Sequence, residues 1–206
     1  MKYHRVPDET VRRLPVYLKT LKSLAQESKL SISSKKLADL LGINSWQIRK
    51  DFAYFGDLGT RGVGYDVAKL INQIRKILRL DVTNRVALVG FGNLGAALFT
   101  YQGFAGYDFE IAAVFDSDAK KIGKKIKNVV VEDVCKISGL RKRNIRFAII
   151  AVPEQATQQV VDLLVAAGVK GILSFSPCHN IVVPKKIKVA AIDISTDLAS
   201  LPYYVT

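Results

Sequence analysis

A glycine-spaced turn constrains this 206-residue chain more than any other feature. It reads Val89-Gly90-Phe91-Gly92-Asn93-Leu94-Gly95, after a short apolar strand pattern at 85–89 and before a helical pattern. Glycines at this spacing are typical of the turn that joins the first strand of a parallel sheet to a helix and holds a pyrophosphate. We expect Gly90 to form the turn, Gly92 to admit the phosphates and Gly95 to let the helix pack closely.

The next expected strand, 109–115, ends in a carboxylate at the position where a dinucleotide site needs one. Asp116 lies 21 residues after Gly95. A carboxylate there accepts hydrogen bonds from the adenine ribose hydroxyls and repels a 2′-phosphate. The sequence therefore predicts a site for NADH/NAD+ in preference to the phosphorylated cofactor, and Asp118 is expected only to cap the following turn.

Strand and helix patterns continue to alternate after this point. Strands are expected at 147–152 and 171–175, with a helix at 154–167 between them. This alternation is typical of an α/β fold with a Rossmann-like, doubly wound parallel sheet. Such sheets bind ligands at the carboxyl ends of their strands. The residues expected there complete the predicted cofactor site: Ala151, Val152, Pro153 and Phe175.

Positive charge is concentrated in the part of the chain that precedes this sheet. The net charge is +13, and residues 1–80 contribute +9 of it. A basic excess of this kind favours a polyanionic partner. We therefore expect a DNA-binding domain at 1–80, an NAD(H)-binding domain at 81–192 and a C-terminal dimerisation helix at 193–206.

The basic segment has the pattern of a helix-turn-helix. A first helix is expected at 8–28, with a bend at Pro15. A short helix at 35–41 ends at Gly42, and Asn44 or Ser45 caps the next one at 45–55. In the short helix, three side chains are expected to face a core: Leu37, Leu40 and Leu41.

The helix at 45–55 has the character of a recognition helix. Its expected buried stripe consists of Ile48, Phe52 and Phe55. Its opposite side carries the types of side chain that bind guanine or adenine edges and phosphates: Gln47, Arg49 and Lys50. Trp46 lies near the helix start and either contacts DNA or packs against a neighbouring helix.

A glycine-rich segment follows the recognition helix. Residues 56–66 contain four glycines around a single arginine, Arg61. Glycines allow a tight hairpin to approach another surface closely. This pattern predicts a winged helix whose wing places Arg61 in the DNA minor groove. A helix at 66–80 is expected to close the domain.

The remaining residues provide few candidates for catalysis or metal binding. Cys135 and Cys178 lie far apart and are expected to be buried, and the two histidines are isolated. No acid/base set accompanies the predicted cleft, so we expect a ligand-binding regulator and no enzyme. The absence of a long apolar run predicts no membrane span, and the absence of a signal sequence predicts a cytoplasmic protein.

The chain end is apolar and helical in pattern. A helix is expected at 195–205, disturbed by Pro202, with Leu198 and Leu201 on one side. Helix-turn-helix proteins read paired half-sites as dimers. The sequence therefore predicts a homodimer on a palindromic operator.

Several of these runs together resemble the bacterial redox-sensing repressor family Rex along nearly the whole chain. The runs are 47–52, 54–56, 59–65, 89–95, 115–118 and 166–172. The resemblance implies a homodimer with a swapped C-terminal helix, which binds NADH and operator DNA. It further implies that Arg49 and Lys50 read the major groove and Arg61 the minor groove. It also implies three switch residues whose pairing changes with cofactor state: Arg13, Tyr101 and Asp193.

Three other classes of protein remain open at this point. A small NAD-dependent dehydrogenase with a basic extension would share the glycine turn but needs a general acid or base. A module for coenzyme A or another nucleotide would share the fold, although Asp116 favours an unphosphorylated ribose. A structural dimerisation protein would not need the glycine turn.

Overall fold

Residue contacts divide the chain into two units, one ending at Val82 and the other beginning at Thr83. The computed structural model describes residues 6–60, 62–176 and 181–205, apart from the side chain of residue 197. The first unit contains, in chain order, α1 (Asp8–Gln26), β1 (Ser31–Ile32), α2 (Ser34–Leu41), α3 (Ser45–Ala53), β2 (Tyr65–Asp66) and α4 (Val67–Ile77).

Local capping residues define the turn between α2 and α3. The Ser33 hydroxyl accepts a hydrogen bond from the Lys36 N–H, and α2 ends at Gly42 in the left-handed conformation. The Asn44 side chain accepts a hydrogen bond from the Trp46 N–H at 2.8 Å and so begins α3. The helix-turn-helix expected from the sequence is therefore present, although α3 ends at Ala53, two residues early.

The core of the first unit joins α1, α3 and α4. Its fully buried side chains include Leu14, Leu18, Leu21, Ile48, Leu70 and Ile74. The expectation for Leu40 was wrong, because it is 49% exposed while Ala38 is buried in its place. Phe55 follows the end of α3 and is only half-buried. Pro15 lies inside α1 without ending the helix.

The second unit alternates strands and helices. Its elements are β3 (Asn84–Val89), α5 (Asn93–Thr100), β4 (Phe109–Asp116), β5 (Lys125–Ile126), β6 (Val129–Asp133), β7 (Phe147–Ile150), α6 (Glu154–Ala166), β8 (Gly171–Ser174), β9 (Lys188–Ala191) and α7 (Ile194–Ser200). Short 3₁₀ segments lie at 105–107, 134–140 and 201–204. The last of these contains Pro202, so the C-terminal α-helix is shorter than expected.

The strands form one sheet in the order β5-β6-β4-β3-β7-β8-β9, and every described pairing except β5–β6 is parallel. Apolar clusters lie on both faces: α5 contributes Leu98 to one, and α6 contributes Val161 to the other. This is the doubly wound α/β sheet that the sequence predicts. The chain winds outward in both directions from β3, which makes the carboxyl ends of β3 and β7 the switch point where ligands bind.

Three strands at or next to the two edges of the sheet lack a clear signal in the sequence. β5 and β6 form a short antiparallel hairpin in a lysine-rich stretch, and only Val131 of β6 is fully buried. β9 is largely exposed. Short strands with one buried side chain do not produce an alternating apolar pattern, since most of their residues face solvent.

Candidate functional site

A cleft of about 730 Å³ opens at the switch point of the sheet. It lies between the glycine turn after β3, the end of β4 and the first turns of α6. The sequence-predicted residues that line it are Gly90, Gly92, Asn93, Leu94, Asp116, Ala151, Val152, Pro153 and Phe175. A cleft of this volume is within the range for small-molecule and cofactor sites.

Each of the three glycines of the turn, Gly90, Gly92 and Gly95, has a different relation to its surroundings. Gly90 has φ +93°, and a Cβ on it would overlap the carbonyl of Ala151, which directly follows β7. A Cβ on Gly95 would overlap the Gly90 carbonyl, so the start of α5 can rest on the turn only without a side chain there. Gly92 has open space at its Cβ position. This is the surface along which a pyrophosphate can approach the N-terminus of α5.

Asp116, at the end of β4, is held in the cleft wall by three contacts. Its Oδ2 accepts the Phe91 N–H at 2.7 Å and lies 3.1 Å from the Lys121 ammonium, and its Oδ1 accepts the Asp118 N–H at 2.8 Å. Burial alone raises the pKa of Asp116. The two N–H groups and Lys121 outweigh burial, so the pKa lies below its ordinary value. The carboxylate is therefore charged, and it also joins the glycine turn to the sheet.

Two of the predicted cofactor residues support the cleft without lining it. The Phe91 ring packs edge-to-face on Phe99, 6.0 Å between centroids, and only its main chain faces Asp116. Gly95 lies under the turn. The cleft is also lined by residues that no sequence pattern indicated, among them Ser117, Lys121, Val134, Gln159 and Leu163. Gln159 and Leu163 lie on α6 and belong to no sequence motif. They line the cleft because the order of the strands places α6 beside the glycine turn.

The opposite end of the cleft is apolar and fixed by a link between strand ends. The Ser176 hydroxyl donates a hydrogen bond to the Val152 carbonyl and so joins the segments after β7 and β8. Phe175 lies half-buried beside this link. Among the described lining residues the charged ones are Asp116, Asp118 and Lys121, all at the β4 end.

A buried carboxylate organises the helix-turn-helix in the first unit. Asp51 of α3 is fully buried and accepts hydrogen bonds from Thr10, Arg13, Tyr17 and Gln47. The guanidinium of Arg13 binds both carboxylate oxygens, at 2.6 and 2.8 Å. Burial raises the pKa of Asp51, but these donors outweigh it and lower the pKa to about 2. The group therefore fixes α3 against α1 as a charged, fully hydrogen-bonded centre.

The side chains predicted to bind DNA separate into two groups. Gln47 is half-buried and donates its amide N–H to Asp51 at 2.9 Å. Arg49 and Lys50 are exposed, and Arg49 contacts the hydroxyls of Ser34 and Ser45. The Lys50 ammonium lies 4.7 Å from the centre of the Trp46 ring, and Trp46 is 55% exposed. The exposed face of α3 therefore presents two cations and a large aromatic ring.

The expected wing is a tight turn closed by main-chain hydrogen bonds. Thr60 and Gly64 bond to each other in both directions at 2.9 Å. Gly62 and Gly64 both have positive φ. The turn is held beside α2 because β2 pairs with β1. Arg61 itself lies outside the described residues.

The three predicted switch residues each have local partners. Arg13 binds Asp51, as described above. Tyr101 is 61% exposed, and its ring packs edge-to-face on Phe104. Asp193 caps α7 by accepting the N–H groups of Ser195 and Thr196.

Cysteine, histidine and carboxylate side chains form no metal site in the described part of the chain. No group of three or more histidine, cysteine, aspartate or glutamate side chains there is arranged to hold a metal ion. Cys135 is exposed, so the expectation that it is buried was wrong, and Cys178 and both histidines lie outside the described residues. None of the described helices combines the length and apolarity needed to cross a membrane.

Comparison with known proteins relates both units to characterised families. A family model described as "CoA binding domain" matches residues 81–178, and one described as "Putative DNA-binding protein N-terminus" matches residues 5–53. The redox-sensing transcriptional repressor Rex of Chloroflexus aurantiacus is 44% identical over 199 residues, which is 96% of this chain and 93% of the relative. The chain belongs to the Rex family.

Further Rex proteins and solved structures agree with this assignment. Rex of Carboxydothermus hydrogenoformans is 44% identical, over 98% of both chains. The crystal structure of RSP in complex with beta-NAD+ and operator DNA superposes with a TM-score of 0.91 at 34% identity, covering 97% of this chain and 92% of RSP. RSP in complex with beta-NADH gives a TM-score of 0.87 at 33% identity, covering 98% and 94%.

Family membership decides between the classes of protein that the sequence left open. Rex proteins are transcriptional repressors and not enzymes, so the expectation of a regulator without catalysis is confirmed. The resemblance to Rex and the winged-helix-plus-Rossmann architecture are confirmed as well.

Proposed function

We propose that this chain represses transcription by binding operator DNA through its first unit, and that NADH bound in the second unit releases it. The observation that carries the proposal is the glycine cleft with Asp116 at its β4 end, in a chain that also presents a helix-turn-helix. RSP, with which this chain shares its fold, binds beta-NADH, beta-NAD+ and operator DNA. As a bacterial repressor it acts in the cytoplasm.

The exposed face of α3 is the proposed major-groove surface. Arg49 and Lys50 supply cations for guanine edges and phosphates, and Arg61 enters the minor groove. Trp46 adds an aromatic surface beside Lys50. We assign Gln47 to orientation of α3, since its amide is already bound to Asp51.

The cofactor cleft is proposed to distinguish the two redox forms by charge. NAD+ carries a cationic nicotinamide ring and NADH a neutral one. The Phe175 end of the cleft is apolar, so burying the cationic ring there costs more free energy than burying the neutral ring. NADH is therefore the form that stabilises the state that releases DNA.

The C-terminal segment is proposed to form the homodimer. Six large apolar side chains of this segment are more than half exposed in the single chain: Ile194, Leu198, Leu201, Tyr203, Tyr204 and Val205. A swapped helix would bury them on the partner. A dimer of this kind presents two recognition helices to a palindromic operator.

Tyr101 and Asp193 are proposed as switch residues of the second unit, where Tyr101 is 61% exposed and Asp193 is partly exposed at the start of α7. A contribution of Arg13 requires its bidentate pair with Asp51 to open, because that carboxylate already binds both sides of its guanidinium fork. We therefore assign Arg13 first to the stability of the recognition helix.

The decisive experiment measures NADH affinity with and without a palindromic operator duplex. Binding to two competing states requires DNA to weaken NADH binding by the same factor by which NADH weakens DNA binding. Equal NADH affinities in both conditions would contradict the mechanism. The control uses a scrambled duplex of the same length, which should leave NADH affinity unchanged.

A further inference from the structure

Lys121 is the cation among the described residues that line the cleft, and the proposed function gives it no role. It lies on the turn after β4 and forms part of the cleft wall. Its ammonium is 3.1 Å from Asp116 Oδ2 and 3.9 Å from Asp118 Oδ2. Its side chain is 32% exposed, so the ammonium can reach solvent without rearrangement of the main chain.

The hydrogen bonds of Asp116 show what Lys121 competes with. A carboxylate has about four acceptor positions on its two oxygens. Among the described residues, Phe91 N–H and Lys121 use two on Oδ2, and Asp118 N–H uses one on Oδ1. One acceptor position on Asp116 therefore remains. The adenine ribose has two neighbouring hydroxyl donors and needs two acceptor positions, so one of the present donors has to leave.

Of the three present donors, Lys121 is the one that can leave. The Phe91 N–H belongs to the glycine turn and the Asp118 N–H to the turn after β4, so moving either one distorts the cleft. The Lys121 side chain is flexible and partly exposed. When the Lys121 ammonium leaves Asp116, its side chain still places it near the ribose, where it can contact an anion attached to the 2′ oxygen.

We infer that Lys121 sets how strongly the cleft discriminates between NADH and NADPH. Asp116 repels a 2′-phosphate, whereas the Lys121 ammonium attracts it and partly cancels that repulsion. For NADH the same ammonium is only a competitor for Asp116. The inference rests on the proposed function, because it places the adenine ribose at Asp116.

The test titrates the full-length protein with NADH and with NADPH, following cofactor fluorescence. In Lys121→Ala the ratio of Kd for NADPH to Kd for NADH should rise by about fivefold or more, the size expected for losing one charge-assisted contact. Lys121→Arg should keep a ratio close to that of the wild type. Lys120→Ala is the matched control, since Lys120 is exposed and does not line the cleft, and it should leave the ratio unchanged.

The outcomes separate the inference from the function on which it depends. A smaller folded fraction of Lys121→Ala would weaken the binding of both cofactors by the same factor and so would not alter the ratio. A ratio equal to that of the wild type therefore overturns the inference. A ratio that falls also overturns it. If the wild-type protein binds neither cofactor, the proposed function itself fails.

Discussion

Asp51 shows how one buried charge can be a structural centre. An unpaired carboxylate in a protein core is strongly unfavourable, whereas one with all its acceptor positions used is stable and geometrically specific. Here the donors come from α1 and from α3 itself, up to 41 residues away in the chain. The recognition helix is therefore positioned by hydrogen bonds as well as by its apolar stripe.

Replacing Asp51 with Asn should destabilise the first unit at neutral pH by about 2–3 kcal/mol, since it leaves Arg13 without a counter-charge. The measurement is chemical unfolding of the variant and the wild type. Asp39→Asn is the matched control on an exposed face of α2 and should be nearly neutral. Equal stabilities of Asp51→Asn and the wild type would contradict this account.

The pair of Asp51 and Arg13 also predicts how the free energy of unfolding changes with pH. The pKa of Asp51 is about 2 in the folded state and 3.8 unfolded, so ionisation favours folding above pH about 4. This contribution, about 2 kcal/mol, should be lost as the pH falls from 4 to 2. Unfolding curves at both pH values should show the loss in the wild type. In Asp51→Asn this loss of about 2 kcal/mol between pH 4 and pH 2 should be absent.

At the scale of elements, the glycine turn combines two separate requirements. Gly95 is needed for packing of α5 on the turn, whereas Gly92 has open space at its Cβ position, where the proposed cofactor approaches. Gly95→Ala should therefore lower the free energy of unfolding by about 1–3 kcal/mol through overpacking.

Gly92→Ala should lower the free energy of unfolding by no more than about 1 kcal/mol, the cost of alanine at the N-cap of α5, because its φ of −82° suits alanine and its Cβ meets no atom within 4 Å. Its NADH affinity should nevertheless fall, since the methyl group occupies the path of the pyrophosphate. Unfolding curves and NADH titrations of both glycine variants separate the two roles. Normal NADH binding by Gly92→Ala would place the phosphates elsewhere.

The recognition helix permits a test of its exposed face. Lys50→Ala should weaken operator binding and reduce the slope of log affinity against log salt by about 1 if Lys50 contacts a phosphate. NADH affinity should not change. Lys76→Ala, an exposed lysine on α4, is the control. Operator binding by Lys50→Ala at the wild-type level, at every salt concentration, would remove Lys50 from the interface.

At the scale of the whole molecule, the proposed dimer depends on the exposed C-terminal helix. Leu198→Glu should shift the dimer towards monomer, because a charge would be buried in the interface. Sedimentation analysis over a range of concentrations measures the shift. Val182→Glu changes a similarly exposed side chain of the same unit and should remain dimeric. A dimer unaffected by Leu198→Glu would place the interface elsewhere.

The sequence by itself determined the features that depend on local spacing. Gly90, Gly92 and Gly95 specify the turn between β3 and α5, and Ser33 and Gly42 specify the ends of α2, because caps and tight turns are decided by a few adjacent residues. The carboxylate at the end of β4 follows from the length of one strand-helix-strand unit.

Only the tertiary structure decided which distant side chains meet. Asp51 reads in the sequence as one more polar residue of α3, and its role follows from α1 packing across it. Lys121 and the α6 residues reach the cleft because the sheet winds outward from β3. Such neighbours are chosen by the packing of whole elements, since burial and hydrogen bonding act between surfaces that no local pattern of residues encodes.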